Sequence, residues 1–205
     1  MSDSGRDRRR RRYWDAQADR YDRRMGGAER RYFADTRAWL CGQATGDTLE
    51  VAVGTGLNFP HYPEGVRLSG VEWSEGMLAL ARRRAGSTVD LRQGDARALD
   101  FPDARFDTVV CTFALCGLPE PRRVIGEMVR VLRPGGLLLL ADHVASSNWA
   151  VRALQYAVDA VSVPLYGEHF ARRPIRWVQA AGLTIERHER FKLGIIESLA
   201  ARTPA

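Results

Sequence analysis

Short apolar runs alternate with amphipathic helical patterns along the chain from residue 48 onward. Apolar runs of this length are typical of buried strands, and their alternation with helices is typical of a parallel sheet with helices on its faces. The pattern predicts strands at 48–53, 68–73, 89–95, 106–115, 137–144, 183–191 and 194–201. An α/β fold is therefore expected.

Helical periodicity follows several of these strands. In residues 75–85 apolar side chains recur at helical spacing while arginines occupy the opposite face, and Ser74 is placed to cap the N-terminus. Residues 121–132 form a second amphipathic pattern, which Pro121 opens and a Pro-Gly-Gly turn at 134–136 follows. Both helices are expected to cover the sheet.

The remaining helical patterns are interrupted by prolines. Helices are predicted at 149–162, ahead of a break at Pro164, and at 174–181. Between the first two strands, the segment from Pro60 to Pro63 interrupts a short helix. The C-terminal third is thus the least regular part of the chain.

Length and composition suit one reduced, water-soluble domain. The 205 residues can bury a core without disulfide or metal staples, and the three cysteines form an odd set without metal-type spacing. No metal site is predicted. No apolar run approaches the roughly 20 residues of a membrane span, so a cytoplasmic protein, at most peripheral to a membrane, is expected.

Positive charge is concentrated at the N-terminus. Residues 1–31 hold eleven arginines and six acids, a local excess of five within a net charge of +6. We predict a disordered basic arm at 1–12, followed by one domain at 13–205. Besides a purely solvated arm, contact with anionic lipid head groups or with a second copy in a homodimer is considered. Nucleic acid is disfavoured because the basic cluster stops at the arm.

Polar signals follow three predicted strands. The loop after the first strand contains Gly54 and Gly56, the second strand carries Glu72 near its end, and the third ends at Asp95. Glycines allow close approach of a ligand, and an acidic strand end accepts hydrogen bonds from ribose hydroxyls. A nucleoside-like ligand is therefore expected. Phe59 stands where a dinucleotide fingerprint needs a third small residue, which disfavours a pyrophosphate.

The combined motifs resemble class I S-adenosylmethionine-dependent methyltransferases. They are "LEVAVGTG", "GVEWSEGMLALAR", "GDARALDFPDARFDTVVCTFALCGLPEP" and "RVLRPGGLLLLADHV". The resemblance implies a Rossmann-like, doubly wound α/β sheet of about seven strands with an N-terminal helical arm, and S-adenosyl-L-methionine as cofactor. Ala52 departs from the family, which usually has glycine there, and slightly tighter packing is expected.

The resemblance also implies which residues hold the cofactor. The glycines would pass its methionine portion, Glu72 would hold the ribose, Trp73 would pack beside the adenine and Asp95 would bind the adenine amino group. The implied cofactor-binding set is Tyr21, Glu50, Gly54, Thr55, Gly56, Glu72, Trp73, Met77, Gly94, Asp95, Ala96, Thr112 and Phe113.

The acceptor site is expected in an insertion at about 145–182, where this family builds its acceptor pocket. Within it "YGEHFARRP" resembles a Gly-Cys-His-x-x-Arg pattern of the branch with phosphatidylethanolamine, ubiquinone/menaquinone-type and thiol methyltransferases, with Glu168 replacing the cysteine. His169, His143 and Tyr166 are the candidate catalytic groups, since histidine titrates near neutral pH. The expected acceptor is an amine or thiol of a small or lipid-like molecule.

The helix at 149–162 lies inside this insertion and has an apolar stripe. Its members include Trp149, Leu154, Ala157 and Val161. Packing onto the domain is the expected role of the stripe, with lining of an acceptor cavity or contact with a membrane as alternatives.

Two other functions are kept as alternatives. A nucleic-acid methyltransferase guided by the arm is disfavoured by "CTFALCGLP", which stands where base-amine methyltransferases carry Asn/Asp-Pro-Pro-aromatic. A non-catalytic binding module would be expected to have lost Glu72 or the glycine pair, and this sequence keeps both.

Overall fold

The computed structural model describes residues 5–28, 34–85, 87 and 89–205. The strands are β1 Asp47–Val51, β2 Arg67–Glu72, β3 Asp90–Gln93, β4 Phe106–Thr112, β5 Leu132–His143, β6 Thr184–Phe191 and β7 Ile196–Arg202. The helices are α1 Gly5–Ala28, α2 Ala34–Cys41, α3 Glu75–Ala85, α4 Pro121–Val131, α5 Trp149–Tyr166 and α6 Pro174–Ala180, with a 3-10 helix at Phe59–His61.

The seven strands form one sheet in the order β3-β2-β1-β4-β5-β7-β6. The first five strands pair in parallel, while β7 runs antiparallel to both β5 and β6. The predicted seven-stranded α/β sheet is confirmed. Strand order reverses between β1 and β4, and ligands of such sheets bind at the carboxyl ends of the strands at this point.

Helices bury apolar side chains on both faces of the sheet. On one face α4 buries Val124, Ile125 and Met128, which recur at helical spacing, against a cluster that includes Leu138 of β5. On the other face Leu40 of α2 joins a second cluster. Packing on both faces therefore holds the sheet and the ends of its strands in place.

Several predicted boundaries differ from the structure. The connection from β1 to β2 contains only the 3-10 helix at Phe59–His61, because Pro60 and Pro63 prevent a longer helix. β4 ends at Thr112 instead of residue 115, and β5 begins at Leu132, before the Pro-Gly-Gly segment. Ser74 caps α3 as predicted, since its Oγ accepts a hydrogen bond from the Met77 amide at 3.2 Å.

The prediction of a disordered arm at 1–12 is wrong for the part that the structure describes. Residues 5–12 belong to α1, which runs without interruption from Gly5 to Ala28. Asp7 is buried and forms an ion pair with Arg97 at 3.1 Å. This contact, 90 residues distant in sequence, gives the N-terminal turns of α1 a fixed place on the domain.

Helix α5 also departs from the expectation. It continues past Pro164 to Tyr166 and ends at Gly167, whose amide donates to the carbonyls of Ser162 and Val163. The prediction that its apolar stripe packs onto the domain is wrong, because Trp149, Leu154 and Val161 are 74%, 64% and 59% exposed. Among the described helices, none combines the length and apolarity needed to cross a membrane.

Candidate functional site

A cavity opens at the carboxyl ends of β1, β2 and β4, where the strand order reverses. Eleven of the predicted cofactor-binding residues line it: Tyr21, Gly54, Thr55, Glu72, Trp73, Met77, Gly94, Asp95, Ala96, Thr112 and Phe113. Glu50 and Gly56 do not. Residues from five segments distant in sequence thus converge on one cavity.

Glu72 is fixed at the end of β2 by backbone amides. Its carboxylate oxygens accept hydrogen bonds from Gly54 N and Ser74 N, both at 2.9 Å. Burial raises the pKa of this carboxyl group. Because each oxygen has a second lone pair, the carboxylate can also accept from two ligand hydroxyls. The donor set therefore fits the ribose of a nucleoside cofactor.

The glycine loop adopts a backbone conformation that favours glycine. Gly54 has φ +56°, and a Cβ built on it would meet no atom within 4 Å, so its Cα borders open space. Gly56 has φ +82°, and a Cβ there would lie 2.4 Å from the Phe59 ring. Only Gly54 lines the cavity, whereas Gly56 is needed for packing of the loop. Ala52, also on the cavity wall, adopts φ +60°.

Glu50 supports the loop from behind. Its oxygens accept hydrogen bonds from Asn58 Nδ2 and the Tyr62 hydroxyl, both at 2.9 Å. Burial raises the pKa of Glu50 to about 7. Arg37, which lines the cavity from α2, donates to Asn58 Oδ1 and Thr112 Oγ1 at 2.8 Å each. The network holds the loop after β1 against the end of β4.

Asp95 is held by Arg97, which the sequence did not single out. Arg97 Nη2 donates to Asp95 Oδ2 at 2.7 Å, and Arg97 Nη1 reaches both Asp7 and Glu120 at 3.1 Å. Burial would raise the pKa of Asp95, but the hydrogen bonds from Arg97 outweigh it, so the pKa is lowered. Asp95 therefore remains an ionised acceptor on the wall of the cavity.

Helix α1 covers the cavity and is held by two further aspartates. Asp15 Oδ1 accepts from Ser74 Oγ at 2.6 Å, and Asp22 Oδ1 accepts from Thr55 Oγ1 at 2.6 Å. The same helix contributes Arg10, Trp14 and Tyr21 to the cavity wall. α1 thus forms one wall of the cavity.

The other end of the cavity is formed by residues that the sequence did not assign to catalysis. Cys116 and Glu168 line it, and burial raises the pKa of both groups. Arg172 fixes this region, because its Nη1 donates to the carbonyls of Leu115 and Leu118. The sequence predicts that Glu168 lies in the loop after α5. It does not predict that the Glu168 side chain lines the cavity.

The three candidate catalytic residues do not line the cavity. His143 packs between the rings of Phe113 and Phe170, and burial lowers its pKa to about 4. Tyr166 is exposed, and its ring packs at a tilt against that of Tyr13, with centroids 5.4 Å apart. His169 lies in the neighbouring loop, where its amide donates to the Cys116 carbonyl at 2.9 Å. The catalytic role of these three residues stays a prediction, and the structure places none of them on the cavity wall.

Cys116, Asp142 and His143 place three potential ligand atoms within 4.8 Å of one another. The Asp142 oxygens already accept from the Cys116 and His143 amides, at 2.9 and 2.7 Å. Burial raises the pKa of Asp142 to about 6. The cluster is therefore best described as a buried support for the loop that carries Cys116.

Comparison with known proteins gives a consistent family. Residues 49–140 match the family model described as a methyltransferase domain. The chain is 44% identical over 118 residues to a phosphatidylethanolamine N-methyltransferase of Cereibacter sphaeroides, covering 55% of this chain and 58% of that protein. It is 32% identical over 139 residues to human thiol S-methyltransferase TMT1B, covering 63% and 56%.

Solved structures share the fold across nearly the whole chain. A S-adenosylmethionine-dependent methyltransferase of Thermotoga maritima superposes with a TM-score of 0.71 at 20% identity, covering 93% of this chain and 98% of that one. A chain from the Haloferax volcanii complex of the Trm112 methyltransferase activator and a methyltransferase gives 0.73 at 19%, covering 94% and 98%. The curated relatives are matched over only about half of their length.

Proposed function

We propose that this chain is a class I S-adenosylmethionine-dependent methyltransferase that transfers the methyl group of S-adenosyl-L-methionine to an amine of a small or lipid-like acceptor. The proposal rests chiefly on one observation: Glu72, Asp95 and Thr112, each at or just after a strand end, face the same cavity. The relatives named above act on lipid and thiol acceptors by name, which is consistent with an acceptor of this class.

The cofactor is assigned to the deep part of the cavity. Glu72 would accept hydrogen bonds from the ribose hydroxyls, Asp95 would face the adenine amino group, and Trp73 would lie beside the base. The Gly54 Cα leaves room for the methionine portion, and the Arg37 guanidinium offers a charge complementary to its carboxylate. All these groups lie on the strand ends or on helices fixed to them.

Bound S-adenosylmethionine supplies a methyl group on a positively charged sulfur, which becomes a neutral thioether when the carbon–sulfur bond breaks. The protein's contribution is to align the acceptor, exclude water and receive a proton. An amine forms the new nitrogen–carbon bond through its lone pair, so an ammonium acceptor must first lose one proton. Glu168, whose pKa is raised by burial, is placed to accept it.

The acceptor end of the cavity favours an amine over a thiol. Glu168 lines the same cavity as the aromatic residues Trp14 and Tyr21, and aromatic faces attract cations. We therefore assign Glu168 the role that His169, His143 and Tyr166 were predicted to have. A lipid-like amine, reached through peripheral contact of the basic arm with a membrane, is part of this proposal.

Cofactor binding is tested with Glu72→Gln. The change removes the charge and one of the two acceptors for the Gly54 and Ser74 amides, so affinity for S-adenosylmethionine should fall by about 10- to 100-fold. The matched control is Glu75→Gln on the exposed start of α3. Isothermal titration measures both variants. Equal affinity of the two variants would refute the assignment of the cavity.

Acceptor class is tested by methyl transfer from labelled cofactor to phosphatidylethanolamine vesicles, soluble amines and small thiols. Glu168→Gln should lower kcat/KM for amines about 100-fold while leaving cofactor affinity unchanged, and Glu64→Gln, on an exposed loop, is the control. Transfer to thiols that the Glu168 change leaves intact, with no transfer to amines, would contradict the amine assignment.

A further inference from the structure

Helix α5 has its polar stripe against the protein and its apolar stripe toward solvent. The inward side chains Gln155, Asp159 and Ser162 recur at positions i, i+4 and i+7. The outward ones, Leu154, Val158, Val161 and Leu165, recur at i, i+4, i+7 and i+11 and are 64%, 41%, 59% and 56% exposed. This is the reverse of the arrangement expected for a helix on the surface of a water-soluble domain.

The inward face is held by specific hydrogen bonds, so the orientation of the helix is defined. Gln155 Nε2 donates to the carbonyls of Val144 and Phe170 at 2.9 Å. Asp159 Oδ1 accepts from the Phe170 amide at 2.6 Å, and Ser162 Oγ donates to the Glu168 carbonyl at 2.9 Å. A rotation that buried the apolar stripe would break these bonds.

Basic side chains border the same helix. A groove between α4, α5 and α6 is lined by Arg122, Arg152, Arg173 and Arg176 together with Tyr156, and none of the described residues that line it is acidic. Within the described ranges, no carboxylate pairs with Arg122, Arg173 or Arg176. Such a groove suits the phosphate of a lipid head group, which arginine binds through paired N–H donors.

A second basic region lies at the other end of α5. Arg9 of α1 donates to the Pro164 carbonyl at 2.8 Å, and residues 6–12 contain six arginines and one acid, Asp7, which Arg97 neutralises. Positive charge therefore lies near both ends of the helix that carries the exposed apolar stripe.

We infer that the outward stripe of α5 and the arginine groove form one docking surface for an anionic lipid bilayer, with the stripe at the acyl boundary and the arginines at the phosphates. An amphipathic helix of this kind lies in the plane of the interface. A second copy of the chain carries the same positive charge, whereas an anionic bilayer offers the opposite charge. The inference deepens the proposed function, on which it rests, by giving the source of a lipid-like acceptor.

The stripe is tested by vesicle flotation with phosphatidylcholine alone and with phosphatidylcholine and phosphatidylglycerol at about 7:3. The variant carries Leu154→Ser, Val158→Ser and Val161→Ser, and the matched control carries Leu154→Met, Val158→Ile and Val161→Leu at the same positions. The serine variant should bind the anionic vesicles at least about tenfold more weakly, since it loses the apolar area that enters the interface, and the control should bind like the wild type.

The groove is tested with Arg173→Gln and Arg176→Gln together, against Arg82→Gln and Arg83→Gln on exposed turns of α3. The groove pair should weaken binding to anionic vesicles about 25-fold, roughly fivefold for each arginine near the surface, and the α3 pair by less than about twofold. Glycerol 3-phosphate added at millimolar concentration should not displace the protein from the vesicles, since it offers no apolar contact.

Titration with S-adenosylmethionine accompanies every variant, so that loss of docking is separated from loss of the cofactor site. Absence of flotation by a wild type that binds the cofactor would overturn the docking surface and leave the proposed function standing. Equal flotation of the serine variant and its apolar control would also overturn it. A third outcome would overturn it as well: a wild type that does not float but self-associates in sedimentation velocity, with the self-association abolished by the serine changes.

Discussion

Replacing Ala52 with glycine should stabilise this protein, although the same replacement usually destabilises proteins. Ala52 follows β1 and adopts φ +60°, in the left-handed region. That conformation costs an L-residue about 1–2 kcal/mol, a cost that glycine does not have. Glycine makes the unfolded chain more flexible, which costs about 0.5–1 kcal/mol. The net expectation for Ala52→Gly is a gain of about 0.5–1 kcal/mol in the free energy of unfolding.

A matched substitution with the opposite expectation is available in α2. Ala38 is exposed within Ala34–Cys41, and Ala38→Gly should destabilise by about 1 kcal/mol through lost helix propensity. Urea denaturation of both variants should therefore show free-energy changes of opposite sign. A loss of stability for Ala52→Gly equal to that of Ala38→Gly would refute the reasoning from backbone conformation.

The same variant reports on the cofactor site. The Ala52 methyl group lines the cavity beside Gly54, so its removal adds space without removing a polar contact. Affinity for S-adenosylmethionine should stay within about threefold of the wild type in isothermal titration. A larger loss would mean that the methyl group itself packs on the cofactor.

Three further expectations concern the cavity and the residues that support it. Burial raises the pKa of Glu50 in the folded protein to about 7, so the stability that protonated Glu50 gives the wild type is lost as pH rises through that value. Glu50→Gln should therefore gain stability relative to the wild type between pH 4.5 and 7, by about 3 kcal/mol at most. Urea denaturation of both proteins at several pH values measures this difference. Asp22→Asn should speed S-adenosylmethionine release about two- to fivefold in stopped-flow experiments, because the partly exposed contacts of Asp22 with Thr55 and Arg84 contribute modestly to holding α1 at the cavity. Asp19→Asn on the same helix is the control and should leave the release rate unchanged. Arg37→Gln should weaken the cofactor about tenfold in titrations while binding of adenosine alone is unchanged, and an equal loss for both ligands would contradict a role toward the carboxylate.

The sheet and the deep part of the site could be predicted because their signals are local. An apolar run followed by glycines, or by an acid at its end, fixes both the strand and the edge of the sheet where the side chain must appear. Glu72 and Asp95 illustrate this, since the parallel register brings their strand ends together without any further information. The predicted cofactor-binding residues Glu50 and Gly56 lie one layer behind, where sequence cannot distinguish lining from support.

Contacts between distant segments could not be predicted in this way. Arg97 joins Asp95 to Asp7, yet its sequence context does not differ from that of the many exposed arginines of this chain. Arg172 is the arginine of the Gly-Cys-His-x-x-Arg pattern, but the pattern did not predict that it holds the loop of Cys116. His143 and His169 were predicted to be catalytic because histidine titrates near neutral pH, but the sequence does not say how their side chains pack. Burial lowers the pKa of His143 to about 4, and that burial follows from tertiary packing that the sequence does not reveal.

Helix α5 shows a further limit. Periodicity detects two stripes, at 154, 158, 161 and 165 and at 155, 159 and 162, but it does not say which of them faces the protein. That choice depends on the backbone amides and carbonyls of loops 144–148 and 168–171, which need polar partners. The usual rule that apolar residues point inward therefore gave the wrong orientation.

The position of α1 couples two events that occur at different surfaces. Its middle and C-terminal turns contact Ser74 and Thr55 beside the cofactor cavity, while its N-terminal turns contact the end of α5 at Pro164. A ligand that orders this helix at one place lowers the entropic cost of ordering it at the other. Because binding free energies are reciprocal, vesicles that tighten S-adenosylmethionine must in turn be bound more tightly by the cofactor-loaded protein, by the same factor.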